Sequence, residues 1–170
     1  MPAFGRAAPL AAVLLSVFVA LPPGEARAAP PHMVAVADIG FTDSSGEPQD
    51  QRAAHEARRL ALTEAVRADI GSAGTLQSLD LPCEGACRLD AEGVEALRRR
   101  AGQAGAGFLL VGSVHKMSTL VLSLRVAVLD AATGKLVFER LLSFRGDNDA
   151  GWRHAGDYVA REVTSQLPGR

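Results

Sequence analysis

The sequence has few of the residues that usually reveal a function. It contains two cysteines, one tryptophan and one tyrosine among 170 residues, and its formal net charge is −1. A nearly neutral chain lacks the long-range attraction that draws a protein to nucleic acid or acidic lipid. The sequence also has no GxSxG motif around a serine and no HExxH motif. These absences remove the usual support for a serine hydrolase, a zinc protease or a nucleic-acid-binding protein.

The first 28 residues have the pattern of an export signal. Arg6 precedes an apolar run from Leu10 to Leu21, the helix-breaking residues 22–24 follow, and Ala26–Ala28 is a small-x-small cleavage pattern. The apolar run is shorter than the roughly 20 residues that a membrane-spanning helix needs. We therefore expect residues 1–28 to be removed, a mature chain without a membrane span that begins near Ala29, and a destination in the periplasm or outside the cell.

The two cysteines, Cys83 and Cys87, are close together in a segment that also contains Pro82 and Gly85. In an oxidising compartment, a pair at this spacing predicts a local disulfide. A redox-active pair is an alternative, although its CxxxC spacing differs from the CxxC of thioredoxin-like enzymes. A zinc site is a third reading, but it would need two more ligands, and no histidine lies within 20 residues of the pair.

After a lead-in at 29–32, residues 33–167 read as a single α/β domain. Apolar runs and helical periodicity predict the order strand, helix, strand, helix, strand, which favours parallel neighbouring strands. Alternating apolar residues at 122–128 and 136–144 then predict an antiparallel hairpin. A last helix should begin near Asp147 and end before Pro168. We expect a mixed sheet of about five strands (βαβαβ followed by the hairpin) with about three helices packed on it. The earlier strands are predicted at 33–37, 76–81 and 108–114, and the earlier helices at 52–70 and after Asp90, a good N-cap. The predicted apolar stripes are Ala54, Ala57 or Arg58, Leu62, Val66 and Ile70 in the first helix, and Trp152, Ala155, Val159 and Val163 in the last.

Five polar or aromatic residues are candidates for binding. Asp38 and His115 are at or near the carboxyl ends of predicted strands, where α/β folds often bind ligands. Asp43 lies in the polar loop after the first strand, and Asp147 and Trp152 lie at the start of the last helix. Each also has a purely structural reading, as a loop or helix cap, as a strand end that meets water, or as a core anchor. His55 and His154 fall on predicted helices and are expected to face solvent.

A glycine-rich segment at 102–107 resembles a phosphate-binding loop, but it closes a helix and leads into a strand. Phosphate loops have the reverse order, so the segment is interpreted as a helix end. No catalytic residues, metal ligands or cofactor can be assigned. One enzymatic alternative is a small hydrolase or cation-dependent enzyme that uses Asp38, Asp43 and His115, which requires the three side chains to converge.

Four segments carry a resemblance to known proteins. They are 34–45, 105–116, 130–134 and 145–147 with Trp152. Together they resemble an uncharacterised family of exported bacterial proteins, with a more distant similarity to the amino-terminal domain of TolB and to CsgG-type domains. The resemblance to TolB is weakened by Asp38–Gly40, which replaces a proline after the first strand. Taken together, these resemblances imply a fold and a compartment, and they suggest a non-catalytic accessory module that binds a protein partner at the cell envelope.

Overall fold

The computed structural model describes residues 32–85 and 87–167, together with Met1. The expected signal peptide therefore lies outside the described residues except for Met1. The described ranges form six strands and three helices, and none of these helices is long and apolar enough to cross a membrane. In chain order the elements are β1 (His32–Ala37), β2 (Gly40–Asp43), α1 (Arg52–Ser72), β3 (Leu76–Leu81), α2 (Ala91–Gln103), β4 (Phe108–Lys116), β5 (Val121–Asp130), β6 (Leu136–Arg145) and α3 (Asp149–Gln166).

The strands form one mixed sheet in the order β3-β1-β4-β5-β6. β1 is parallel to both β3 and β4, while β5 pairs antiparallel with β4 and with β6. This arrangement confirms the predicted α/β class, the βαβαβ order and the antiparallel hairpin.

β2 corrects one expectation, because Gly40–Asp43 were predicted to lie in an irregular loop. β1 pairs with the first half of β4, and after Asp38 and Ile39 the chain rejoins the same strand, with Gly40 opposite Ser113. Four residues that contain a glycine and an aspartate are too few to show a strand period. The pairing comes from the neighbouring strand and not from local preference.

The helices α1 and α3 cover one face of the sheet and enclose the larger core. Trp152 is 2% exposed at its centre, and the predicted inner stripe of α3 is buried. The stripe predicted for α1 is partly wrong, because Ala54 and Ala57 are exposed while His55 is 3% exposed. Polar His55 was expected to face solvent, but its Nε2 lies 2.7 Å from Asp147 Oδ2 in the loop before α3, and this contact holds the ring inside.

The remaining helix, α2, covers only part of the second face. Asp90 caps it by accepting a hydrogen bond from the Gly93 amide at 2.8 Å, as predicted. Leu97 and Ala101 of α2 pack in a smaller core over β1, β3 and β4. The helix ends at Gln103, and Gly105 has φ +84°, which agrees with the helix-end interpretation of the glycine-rich segment.

Gly112 of β4 lies too close to β5 to carry a side chain. A Cβ at this position would meet Val126 Cγ1 at 2.9 Å and Arg125 O at 3.0 Å. Neither atom is the free end of a flexible side chain. The close approach of β4 and β5 therefore depends on glycine at this point.

We predict that Gly112→Ala lowers the free energy of unfolding by about 1 to 3 kcal/mol, because β4 and β5 must move apart. Chemical denaturation measures the loss. Gly107→Ala is the matched control, since its Cβ would meet only Met33 O at 3.9 Å; its change should stay within about 0.5 kcal/mol. Equal stability of the Gly112 variant and the control would contradict the close-packing argument.

Candidate functional site

A buried lysine, Lys116, is the last residue of β4 and its side chain points towards α1 and α3. It is 1% exposed. Its Nζ lies 2.6 Å from Glu47 Oε2 and 2.7 Å from Asp147 Oδ2, and it donates to Gln51 Oε1 at 3.4 Å. An ammonium group taken out of water needs such a set of partners to remain charged.

Asp147 is the centre of this network. Its Oδ2 also lies 2.7 Å from His55 Nε2, and its Oδ1 accepts hydrogen bonds from Arg58 NH1 at 3.0 Å and Trp152 Nε1 at 3.1 Å. The Asp147 side chain is 6% exposed. We call Glu47, His55, Arg58, Lys116 and Asp147 the Asp147 cluster.

Local sequence brings each member of the cluster to this place. The alternation of β4 directs Val114 and Lys116 to the same face. Asn148 accepts from the Gly151 amide at 3.0 Å and so fixes the start of α3 directly after Asp147. His55 and Arg58 are three residues apart, which puts both on one side of α1.

The ionisation of the cluster follows from these contacts. Burial raises the pKa of Asp147, but hydrogen bonds from His55, Lys116 and Trp152 outweigh it and lower the pKa to about 2. Burial lowers the pKa of Lys116, yet its bonds to Asp147 and Glu47 outweigh that effect and raise it. The hydrogen bond from Lys116 lowers the pKa of Glu47. Both carboxylates and the ammonium group are therefore charged at neutral pH.

Two of the residues that the sequence suggested for binding, Asp147 and Trp152, have structural roles here. Asp147 is occupied by four donors, and Trp152 is buried with its ring centroid 5.6 Å from that of Phe41. His55 lies against the same aromatic pair, 4.5 Å from Phe41 between ring centroids. The sequence signal for this core role was the apolar stripe of α3; nothing in the sequence linked Lys116 to Asp147.

Asp38 is also held by structural contacts. Its Oδ1 accepts from Arg67 at 2.9 Å and its Oδ2 accepts from the Cys83 amide at 3.0 Å. Cys83 and Cys87 are joined in a disulfide with a Cα–Cα distance of 5.3 Å, so the predicted pairing is formed. Asp38 and the two sulfur atoms are near enough to share a cation, but disulfide sulfurs are not thiolate ligands.

Asp43 and His115 lie on opposite faces of the sheet. Asp43 is opposite Lys116 in the β2–β4 register, whereas His115 is opposite Thr42. Asp43 Oδ1 accepts from the Ser45 amide at 2.8 Å. Hydrogen bonds from the Ser45 side chain and then from the Ser45 amide lower the pKa of Asp43. His115 Nε2 lies 2.7 Å from Ser44 Oγ. Asp38, Asp43 and His115 thus have three separate sets of partners.

A groove of about 530 Å³ lies between α1 and α3. Its floor is formed mainly by alanines of α1, and its rim carries Arg58, Asp149 and Arg153. Arg58 is held by Asp147 and Asp149, each at 3.0 Å. The groove has room for a small apolar group.

Part of the face of β5 and β6 on the side of α2 is exposed. Two rows of opposed residues cross it, and both begin on β4. The core under α2 extends to Ala127 and Leu129 of β5, but Leu141 is 61% exposed and the Arg125 side chain 66%. We call these rows the open sheet face; they are Ser113, Arg125 and Leu141, and His115, Ser123 and Ser143.

We predict that Asp147→Asn lowers the free energy of unfolding by about 3 kcal/mol at pH 7, because Lys116 loses one of its two carboxylates inside the protein. The pKa of Asp147 is lower in the folded chain, about 2 against 3.8. Its stabilisation is therefore complete above about pH 4 and lost as the pH falls towards about 2. Denaturation curves measured between these pH values should show the free energies of unfolding of wild type and Asp147→Asn converging as the pH falls.

The matched control is Asp149→Asn, which removes an 82% exposed partner of Arg58. Its change should stay within about 1 kcal/mol, as for other exposed ion pairs. A stability difference between wild type and Asp147→Asn that does not vary with pH would contradict the assigned role of the Asp147 carboxylate.

Comparison with known proteins places the chain in a family and supports its fold. No curated protein matches it. Solved structures similar to this chain include the following three. The PelC dodecamer from Paraburkholderia phytofirmans is 16% identical with a TM-score of 0.50, over 82% of this chain and 89% of PelC. TolB from Acinetobacter baumannii is 16% identical with a TM-score of 0.49, over 83% of this chain and 29% of TolB. Lipoprotein GNA1162 from Neisseria meningitidis is 18% identical with a TM-score of 0.47, over 79% of this chain and 96% of the lipoprotein.

At 16% identity the similarity to PelC shows the fold alone. The family model gives a stronger result, because it covers most of the chain. DUF3280, described as "Protein of unknown function (DUF2380)", matches residues 32–163, and the chain belongs to this family.

Proposed function

We propose that this protein is an exported, non-catalytic binding module that acts through protein contacts at the cell envelope. The observation that carries the proposal is the open sheet face. Sheets of α/β domains are usually covered by helices on both faces. Here, among the described residues, α2 covers only part of one face, and Arg125 of β5 and Leu141 of β6 stay exposed on that side.

The side chains of the open sheet face define the chemistry of the partner. Arg125 supplies a cation, Leu141 an exposed apolar surface, and His115 with Ser123 a polar edge. Interfaces of this kind combine an apolar anchor with a polar rim. A partner surface that presents an apolar side chain beside a carboxylate fits this pattern.

The contacts of the sequence candidates favour binding over catalysis. A hydrolase that uses Asp38, Asp43 and His115 needs the three groups at one point, and each has other partners. His115 and Ser44 form a hydrogen-bonded pair, but among the described residues no carboxylate bonds to His115 to orient the ring. In this proposal His115 contacts the partner, and Asp38, Asp147 and Trp152 hold the scaffold.

Export and assembly complete the proposal. Residues 1–28 would direct the chain to the periplasm, where the Cys83–Cys87 disulfide is stable. The PelC structure is described as a dodecamer. This description supports contacts between proteins as a use of the shared fold.

A photo-crosslinking amino acid placed at Ser123 or Arg125 should capture the same envelope protein from intact cells, because both positions lie on the open sheet face. Mass spectrometry identifies the adduct. The control position is Glu64, which is exposed on α1. Adducts at Glu64 but not at Ser123 or Arg125 would contradict the assignment of this face.

The protein purified from the periplasm should begin at Ala29 and contain no free thiol. Intact-mass measurement and alkylation with and without a reductant test both points. Alkylation should require reduction, because the sulfur atoms are joined. A full-length cytosolic product with two reactive cysteines would overturn the exported state.

A further inference from the structure

The outer edge of the sheet is a long strand that carries three charged residues but no lysine or proline. β6 contains ten residues and is last in the strand order, and within the described ranges no strand pairs with its outer side. Natural edge strands are usually short or carry lysine or proline, which block pairing with another chain. The segment Leu136–Arg145 contains neither residue. Its register irregularity is confined to its start, near Val128 and Leu129 of β5.

Three exposed large apolar residues in the described part of the chain lie on this strand. Leu136 is 57% exposed, Val137 42% and Leu141 61%. The same strand buries Phe138 and Phe144 on its other face. An edge with both unpaired backbone groups and exposed apolar side chains favours the addition of another strand.

The charges on β6 are complementary to those of a second, antiparallel copy of β6. On the open side the strand presents Glu139, Leu141, Ser143 and Arg145 in alternation. With a two-fold axis at Leu142, Glu139 is opposite Arg145 of the second copy, and the symmetry repeats this pair. Opposite charges at directly opposed positions stabilise a strand pair.

We propose that the protein forms a two-fold symmetric dimer in which β6 of each copy pairs antiparallel along the sheet edge. The other sheet edge, β3, fits β6 less well. It has six residues, so a head-to-tail contact could pair at most six residues of β6. Pairing of β6 with itself about Leu142 joins residues 139–145, seven from each copy, and gives a closed, isologous contact.

This dimer does not depend on the proposed envelope partner. It pairs the edge of β6, whose Leu141 and Ser143 also belong to the open sheet face, but the crosslinking positions Ser123 and Arg125 lie on β5. Dimerisation is measured on the purified protein alone. The dimerisation measurement can therefore fail while the crosslinking experiment succeeds, and the reverse.

The test is a pair of charge reversals, Glu139→Arg and Arg145→Glu. In either homodimer the two cross-strand pairs become like-charged, and we expect dimerisation to weaken about tenfold or more. Mixed in equal amounts, the two variants regain both opposite-charge pairs and should form a heterodimer. Sedimentation equilibrium measures the self-association, and native mass spectrometry of the mixture identifies the heterodimer.

Arg99→Glu is the control, because Arg99 is a 65% exposed residue of α2 and should leave the dimer unchanged. Circular dichroism confirms that each variant is folded. Glu139→Arg also removes an exposed intrachain pair with Arg125, at 3.2 Å, but recovery in the mixture cannot arise from that contact. Wild type that stays monomeric into the hundred-micromolar range, single variants that dimerise as wild type does, or a mixture that stays monomeric would each overturn the proposal.

Discussion

The contact between Lys116 and Asp147 is the constraint on which the arrangement of the domain depends. Burial of both charges is unfavourable unless each group keeps its hydrogen-bond partners. Glu47, His55, Arg58 and Trp152 supply those partners. They come from the loop before α1, from the first turns of α1, and from α3. The end of β4 thereby fixes both helices of the larger core, and a shift of any one element would leave a charge inside without a partner.

This constraint makes the two sides of the sheet unequal. With α1 and α3 held together over one side, the larger core contains the apolar residues of all the long strands. Of the three described helices, one lies on the other side, α2 with 13 residues, and the core there is correspondingly small. β5 and β6 extend beyond α2, so the open sheet face follows from the number of helices and from their positions. The larger core therefore lies on the side of α1 and α3, and the open sheet face lies on the side of α2.

The sequence predicted what depends on local periodicity. The three helices, the parallel strands and the hairpin all have their own hydrophobic patterns, and each was found close to its expected bounds. The prediction from the sequence failed for β2, which forms by pairing with β4. It also failed for His55, whose burial depends on the carboxylate of Asp147, 92 positions away. From the sequence, Asp147 was interpreted as part of a polar helix start, because its partners are remote along the chain. Such contacts have no periodic signal, so a single sequence cannot reveal them.

The end of β4 joins the scaffold to the open sheet face. His115 and Lys116 are neighbours in the chain, and strand alternation sends their side chains to opposite sides. Ser44 contacts both residues, since its hydroxyl lies 2.7 Å from His115 Nε2 and its amide donates to the Lys116 carbonyl at 2.9 Å. The ion pairs that hold Lys116 therefore also fix the strand and the loop that orient His115. A rigid backbone at this point reduces the entropy that a binding surface would lose when its partner docks.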